Sequence, residues 1–348
     1  MTYETTFNQP PIDVSYDTSR DILIYGFSNQ IIFYQLYQSS INNNILPNQL
    51  TLNQIQFYRF LLNDVYLTYD KKIIHCNIQS ATIINIIQLD IQIFITNFAS
   101  NRSKSTLFVG FSNGQMLQYN LKDKSCKYYN LSTDTSAINI SVIKLIVNEQ
   151  NQSQPQVLYV TNGGLLIIID SNKQQIIQQI NLIQLVNEEI NINLQNFIFD
   201  QIYSKYIFFF SGQKRVYVWN IDTKQQEIFL MLPNDQGNQI KLTDSFILTS
   251  CSYQINVYTR SQTIQLLTII KKNNFQDFIL DYHAINDNQI VLLLQNRYEL
   301  YLLQGNTFQL ISQQSYQYPR FLGYIYNQEQ NIIKLYILHQ SGLQFTIS

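Results

Sequence analysis

Short runs of Ile, Val, Leu, Tyr and Phe, mostly four to seven residues long, alternate along the chain with breaks of Asn, Gln, Ser, Gly and Asp. That is the pattern of strands and turns. Apolar spacing of the helical kind, sustained over about 11 residues or more, is scarce. The clearest unit is a pair of apolar runs around a tight polar break. It occurs at DILIYGFSNQIIFYQL from Asp21, VYLTYDKKIIHCNI from Val65, TLFVGFSNGQMLQYNL from Thr106 and VLYVTNGGLLIIID from Val157. It returns at YIFFFSGQKRVYVWNID from Tyr206, FILTSCSYQINVYT from Phe246, IVLLLQNRYELYLL from Ile290 and IIKLYILHQSGLQFTIS from Ile332. These read as eight β-hairpins whose starts lie 40 to 51 residues apart, one structural unit repeated along the chain.

Between consecutive hairpins lie two more strand-like pieces, such as SCKYYNL and ISVIKLIV between Ser125 and Val147. Four strands in roughly 40 to 45 residues is the arithmetic of a propeller blade. The expectation is an all-β chain forming a single closed β-propeller of about eight four-stranded blades, with seven as the alternative count. Residues 1–348 form one domain in this reading. The last hairpin ends at Ser348, one strand short of a blade, and TYETTF near the N-terminus is placed to supply that strand, because the first unit has its own opening strand near Ile12 to Tyr16. The stretches Ser39–Asn53, Asn148–Gln156 and Glu188–Asn193 read as long inter-strand loops. Taken instead as linkers, they would divide the chain into a sandwich and a smaller propeller.

The segment KRVYVWNID resembles the strand and Trp-Asp ending of a WD40 repeat, with Trp219 at the Trp position and Asn220 where Asp is usual. Weaker echoes stand at Tyr34-Gln35, Cys76-Asn77, Tyr119-Asn120, Ile169-Asp170 and Tyr258-Thr259. The resemblance implies a propeller that serves as a platform for other proteins. The chain departs from that family in having no Gly-His pair, so the family's His/Asp/Ser/Trp hydrogen-bond network is missing. Apolar packing between blades is expected to take its place, with Trp219 packed as a structural residue.

Composition narrows the functions. Lys and Arg number 22 against 23 for Asp and Glu, a net charge of -1, and charged residues make up 13%. A broad hold on nucleic acid or anionic lipid requires a basic excess, which argues against both. Amides replace charge, with 37 Asn and 43 Gln, but the 45% hydrophobic fraction keeps the chain out of the disordered class. Cys76, Cys126 and Cys251 make no disulfide framework, which fits a reducing compartment. No secretory signal and no run of about 18 apolar residues is visible, so an intracellular location without membrane insertion is expected.

Candidate chemistry is thin. His75 and Cys76 are neighbours on one strand and point to opposite faces, which separates them as a catalytic dyad. His75, His283 and His339 are scattered with the three cysteines, and no ligand pair at metal spacing appears. Cys76 and Cys251 read as small buried hydrophobes and His339 as a solvated loop residue. Gly163-Gly164 and Asn113-Gly114 read as two-residue hairpin turns, and Glu188-Glu189 as a solvated loop doublet. The expectation is therefore no enzyme, no cofactor, no metal and no small-molecule substrate.

The basic residues show one regularity. Lys71, Lys72, Lys214, Arg215 and Arg297 all fall in the turn of a repeated hairpin, and equivalent propeller turns emerge on one face. They are the expected partner-binding turn face of a protein-interaction scaffold, a subunit of an intracellular multiprotein complex. Two alternatives are a propeller enzyme with its site in the central funnel and an RNA- or phosphopeptide-binding propeller.

Overall fold

The computed structural model describes the backbone of 32 strands between Thr2 and Ile347. It places side chains within residues 72–75, 83–88, 95–101, 105–130, 141–148, 155–186, 194–210, 214–227, 239–272, 277–284, 288–313 and 315. β1 is Thr2–Thr6. The first sheet is β2 (Asp13–Asp17), β3 (Ile22–Gly26), β4 (Gln30–Gln35) and β5 (Asn48–Thr51), and the second is β6 (Phe57–Leu61), β7 (Asp64–Tyr69), β8 (Lys72–Asn77) and β9 (Thr82–Gln88). The third comprises β10 (Ile95–Ser100), β11 (Thr106–Phe111), β12 (Met116–Asn120) and β13 (Cys126–Tyr129). The fourth comprises β14 (Val142–Asn148), β15 (Gln156–Thr161), β16 (Leu165–Asp170) and β17 (Gln175–Asn181). After the short helix α1 (Leu182–Leu185) comes the fifth, β18 (Leu194–Asp200), β19 (Lys205–Phe210), β20 (Arg215–Asn220) and β21 (Gln225–Met231). The sixth is β22 (Gln239–Leu242), β23 (Phe246–Cys251), β24 (Gln254–Thr259) and β25 (Leu266–Lys271). The seventh is β26 (Ile279–Asn286), β27 (Gln289–Leu294), β28 (Arg297–Gln304) and β29 (Thr307–Ser315), and the eighth is β30 (Pro319–Asn327), β31 (Ile332–His339) and β32 (Gly342–Ile347), completed by β1.

Among the described residues, then, the strands pair into eight antiparallel sheets of four, each running opening strand, two central strands, closing strand. The eight hairpins expected from the sequence are the eight pairs of central strands. In the last sheet β1 lies antiparallel on β32, with Thr2 opposite Thr346 and Thr6 opposite Gly342. By contacts the chain divides into two compact units, Pro11–Gln184 and Leu185–Ser348 with Met1–Pro10.

In each unit the core lies between consecutive sheets. In the first unit Leu107, Val109 and Phe111 of β11 pack with Ile73 and Ile87 of the second sheet, while Phe108 turns the other way onto Val157 and Tyr159 of the fourth. A central strand covered on both faces is apolar along most of its length, which is why LFVGF runs without a polar break. The second unit repeats the arrangement. Ile247 of β23 packs with Ile207 and Phe209 of the fifth sheet, and Phe246 and Leu248 pack with Tyr282 and Ile290 of the seventh. Gly110 is small for a packing reason: a Cβ there would stand 2.5 Å from Cγ1 of Val142 on the next opening strand.

Two irregularities recur. The opening strands of the third, fourth, fifth, seventh and eighth sheets carry a β-bulge after their first paired residue, as between Ile95 and Asn97 or Ile279 and Asp281. Closing strands bulge near the end of their central partner, skipping Ile84, Ile177, Glu227, Leu267 and Ile311. A bulge sharpens strand twist and spoils a free edge for further pairing. These closing strands otherwise lack protection, since Ile84, Ile177 and Ile311 are all exposed.

Three sequence expectations need correction. The stretch Ser39–Asn53 is not all loop, because β5 (Asn48–Thr51) lies in it and pairs with β4. The glycine turns span three residues. Gly164 N–H donates to Thr161 O (3.0 Å) and Gly114 N–H to Phe111 O (3.1 Å), and within these two turns only Gly164 and Gly114 have positive φ, at 77° and 80°. Each is a tight turn followed by one left-handed residue that absorbs the strand twist. Trp219 is half-buried, and does not sit sealed between sheets. It stands opposite Tyr206 beside the bulge that skips Glu227. Residues 149–154 and 187–193, with Glu188-Glu189, and the side chains of Lys71, Cys76 and His339 lie outside the described residues.

Candidate functional site

In the third, fourth and fifth sheets the polar residue ending the second central strand builds the turn that follows. The side-chain oxygen of Asn120 accepts the Lys122 N–H (2.9 Å), that of Asp170 accepts Asn172 (3.0 Å) and Lys173 (2.9 Å), and that of Asn220 accepts Asp222 (2.9 Å) and Thr223 (3.1 Å). Four residues after each, Lys124, Gln174 and Lys224 take φ of 59°, 54° and 54°. Asp200 and Ser204 repeat the device between β18 and β19, with φ of 50° at Ser204. These are Asx turns, in which a short polar side chain stands in for a backbone acceptor. The Asn or Asp after the aromatic position is thus a turn-builder.

Sheets are also pinned by ions, which add to the expected apolar packing. The Arg260 guanidinium of the sixth sheet grips Asp200 of the fifth through Nε–Oδ2 (3.0 Å) and Nη2–Oδ1 (2.9 Å). That grip raises the Arg260 pKa despite burial. Lys205 bonds Glu227 (2.7 Å) within the fifth sheet and donates to Gln262 O (2.7 Å) of the sixth. Lys241 of β22 pairs with Asp281 of β26 (2.8 Å), where His283 Nε2 lies 3.4 Å from the ammonium. Lys272 bonds both Glu299 and Tyr301 of the seventh sheet. Burial alone would push the Glu299 carboxyl up, but Lys272, Tyr301 and Arg297 outweigh it and hold it below its ordinary value. Likewise the Asp281 carboxyl is lowered against its burial by His283 and Lys241. In the first unit Tyr129 donates to Gln118 (2.8 Å), and burial, helped by Asp170, pushes its hydroxyl up to about 12.

Of the predicted turn residues, Lys72, Arg215 and Arg297 are the first residues of β8, β20 and β28, Lys214 immediately precedes β20, and Lys71 lies outside the described residues. Lys214 is exposed, Lys72 and Arg215 are half-buried, and Arg297 is held by Asp277 (2.7 Å) and Glu299 (2.9 Å). Arg297 is thus committed to bracing the seventh sheet. Cys251 is buried and its thiol faces Gln254 O, while Cys126 is exposed. Among the described residues no group of three or more His, Cys, Asp or Glu is placed to hold a metal, and no helix is long and apolar enough to cross a membrane. The ion pairs of Lys205, Lys241, Arg260 and Lys272 escaped the sequence reading because their partners lie 22 to 60 positions apart and share no motif.

Repeated four-stranded sheets joined in this order define a WD40-like β-propeller, and known structures bear this out. The fold is similar to the C-terminal WD40 domain of Sif2 (TM-score 0.69, 10% identity, 100% of this chain and 99% of that one). It is similar to the Dos1 propeller (TM-score 0.69, 13% identity, 99% and 94%) and to a chain in the crystal structure of the mitotic checkpoint complex (TM-score 0.57, 10% identity, 84% and 86%). No protein-family model matches the chain, and no curated protein matches it in sequence.

Proposed function

We propose that the chain is a non-catalytic protein-interaction scaffold, a subunit of an intracellular multiprotein assembly, with residues 1–348 acting as one domain. The observation that carries this reading is the allocation of charge. In the described sheets the buried charged groups Asp200, Lys205 and Glu299 are each bound to an opposite charge, Arg260, Glu227 and Lys272 respectively, across or within sheets. They brace the architecture, and the exposed polar turns are left as the contact surface. The likeness to a chain of the mitotic checkpoint complex, itself an assembly, supports the same reading. Lys71, Lys72, Lys214 and Arg215 are the partner-facing turn residues in this proposal, while Arg297 is committed to Asp277 and Glu299.

Affinity purification of the tagged chain followed by mass spectrometry tests it. The expected result is stable, stoichiometric recovery of other proteins, weakened in a salt-dependent way by Lys214→Glu with Arg215→Glu. Recovery of the chain alone would sink the scaffold reading. An unaltered set of partners in the double reversal would move the contact to another surface.

A further inference from the structure

The end of the third sheet opposite the Asn113–Gly114 hairpin carries Lys122, Lys124 and Lys127, three lysines in six residues, a density that no other six-residue window of the chain reaches. All three are exposed, as is Tyr128 at 40% beside them. Among the described residues none of the three stands in a salt bridge. The single acid of the segment, Asp123, turns its carboxylate back into the turn, where it accepts the N–H (2.9 Å) and hydroxyl (2.7 Å) of Ser125.

The turn is braced. Asn120 N–H donates to Ser125 O (2.9 Å), Leu121 N–H to Ser105 O (2.8 Å), and Lys124 occupies the left-handed region. A braced backbone presents its side chains with less ordering cost on binding. The equivalent turns of the neighbouring sheets hold one lysine each. In the fourth sheet Lys173 lies 3.7 Å from the Asp170 carboxylate that builds the turn, and in the fifth Lys224 follows Asp222. The third sheet uses the neutral Asn120 for the same structural task, so nothing in its turn architecture requires the lysines.

We propose that Lys122, Lys124 and Lys127 form a docking site for a short acidic segment of a partner protein. This rests on the scaffold reading and names a second contact, at the opposite end of the sheet from the hairpin turns. Ammonium groups are compact point charges without a directional fork, suited to a run of carboxylates. Two of them on the turn and one just inside β13 match a few carboxylates, whereas a nucleic-acid backbone is typically held through about 6 to 10 contacts along a track.

Fluorescence anisotropy tests the site, using a fluorescein-labelled Asp/Glu-rich peptide, its Asn/Gln counterpart and a single-stranded RNA. The full chain is expected to bind the acidic peptide in preference to the other two, with affinity falling as salt rises. Lys122→Glu with Lys124→Glu and Lys127→Glu should weaken binding by about tenfold or more, the combined effect of losing three exposed ion pairs, with an unchanged melting curve. Absent binding, equal binding of the Asn/Gln peptide, binding untouched by the triple reversal, or tighter RNA binding through the same lysines would each overturn the proposal. Failure here with partners still recovered by the tagged chain would leave the scaffold reading standing. Recovery of no partner by the unaltered chain would remove that reading itself.

Discussion

Arg260 clamps Asp200 through two nearly equal hydrogen bonds, 3.0 and 2.9 Å, joining positions 60 residues apart in the chain. The same Asp200 oxygen accepts the Ile202 N–H (3.0 Å), so one carboxylate both shapes the β18–β19 turn and pins the next sheet. Its side chain is 2% exposed and that of Arg260 10%. Removing one partner of such a pair leaves a buried charge uncompensated.

Asp200→Ala is therefore expected to destabilise the chain by about 3 to 5 kcal/mol. Arg260→Leu should cost less in the Asp200→Ala background than alone, because the stranded charge is gone. Urea titrations of the two single variants and the double variant measure this. Additive losses would show that the pair does not act as a unit.

Acid should unfold the chain through Glu299 and Asp281. Both carboxyls are held below their ordinary values of 4.5 and 3.8 in the folded state. A depressed folded pKa means that the unfolded chain takes up protons first as pH falls. The stabilisation is present above pH 4.5, and is lost as pH drops through those ordinary values towards the lower folded ones. Glu299→Gln should flatten the melting temperature against pH between about pH 5 and 3. A profile as steep as that of the unaltered chain would assign acid lability to other groups.

Gly110→Ala should destabilise by about 1 to 3 kcal/mol, since the added methyl would overpack the contact with Val142. Val142→Ala in the same chain should recover part of the loss by opening that space. Thermal melts of the two single variants and the double variant check the rescue.

Deleting residues 1–10 removes β1 and leaves the backbone edge of β32 unpaired along five residue pairs. The melting temperature should fall and self-association should rise, because an uncovered strand edge is a template for pairing. Scanning calorimetry with light scattering reads both, and an unchanged melt would show that the β1–β32 pairing adds no stability.

The strands of this protein are legible in its sequence because their causes are local. A central strand covered on two faces is apolar along most of its length, as at LFVGF and YIFFF, and a hairpin needs its polar break within a few residues. The Asn or Asp closing the second central strand of the third, fourth and fifth sheets is visible for the same reason, since its side chain bonds the backbone only two or three positions on. Tertiary structure alone decided what depends on distant partners. It brought Lys241 to Asp281 and Lys272 to Glu299, held Arg297 against Asp277 and left Trp219 half-buried. A solvated lysine and a buried, paired one have the same spacing in a sequence. What separates them is the sheet that arrives beside them when the chain folds.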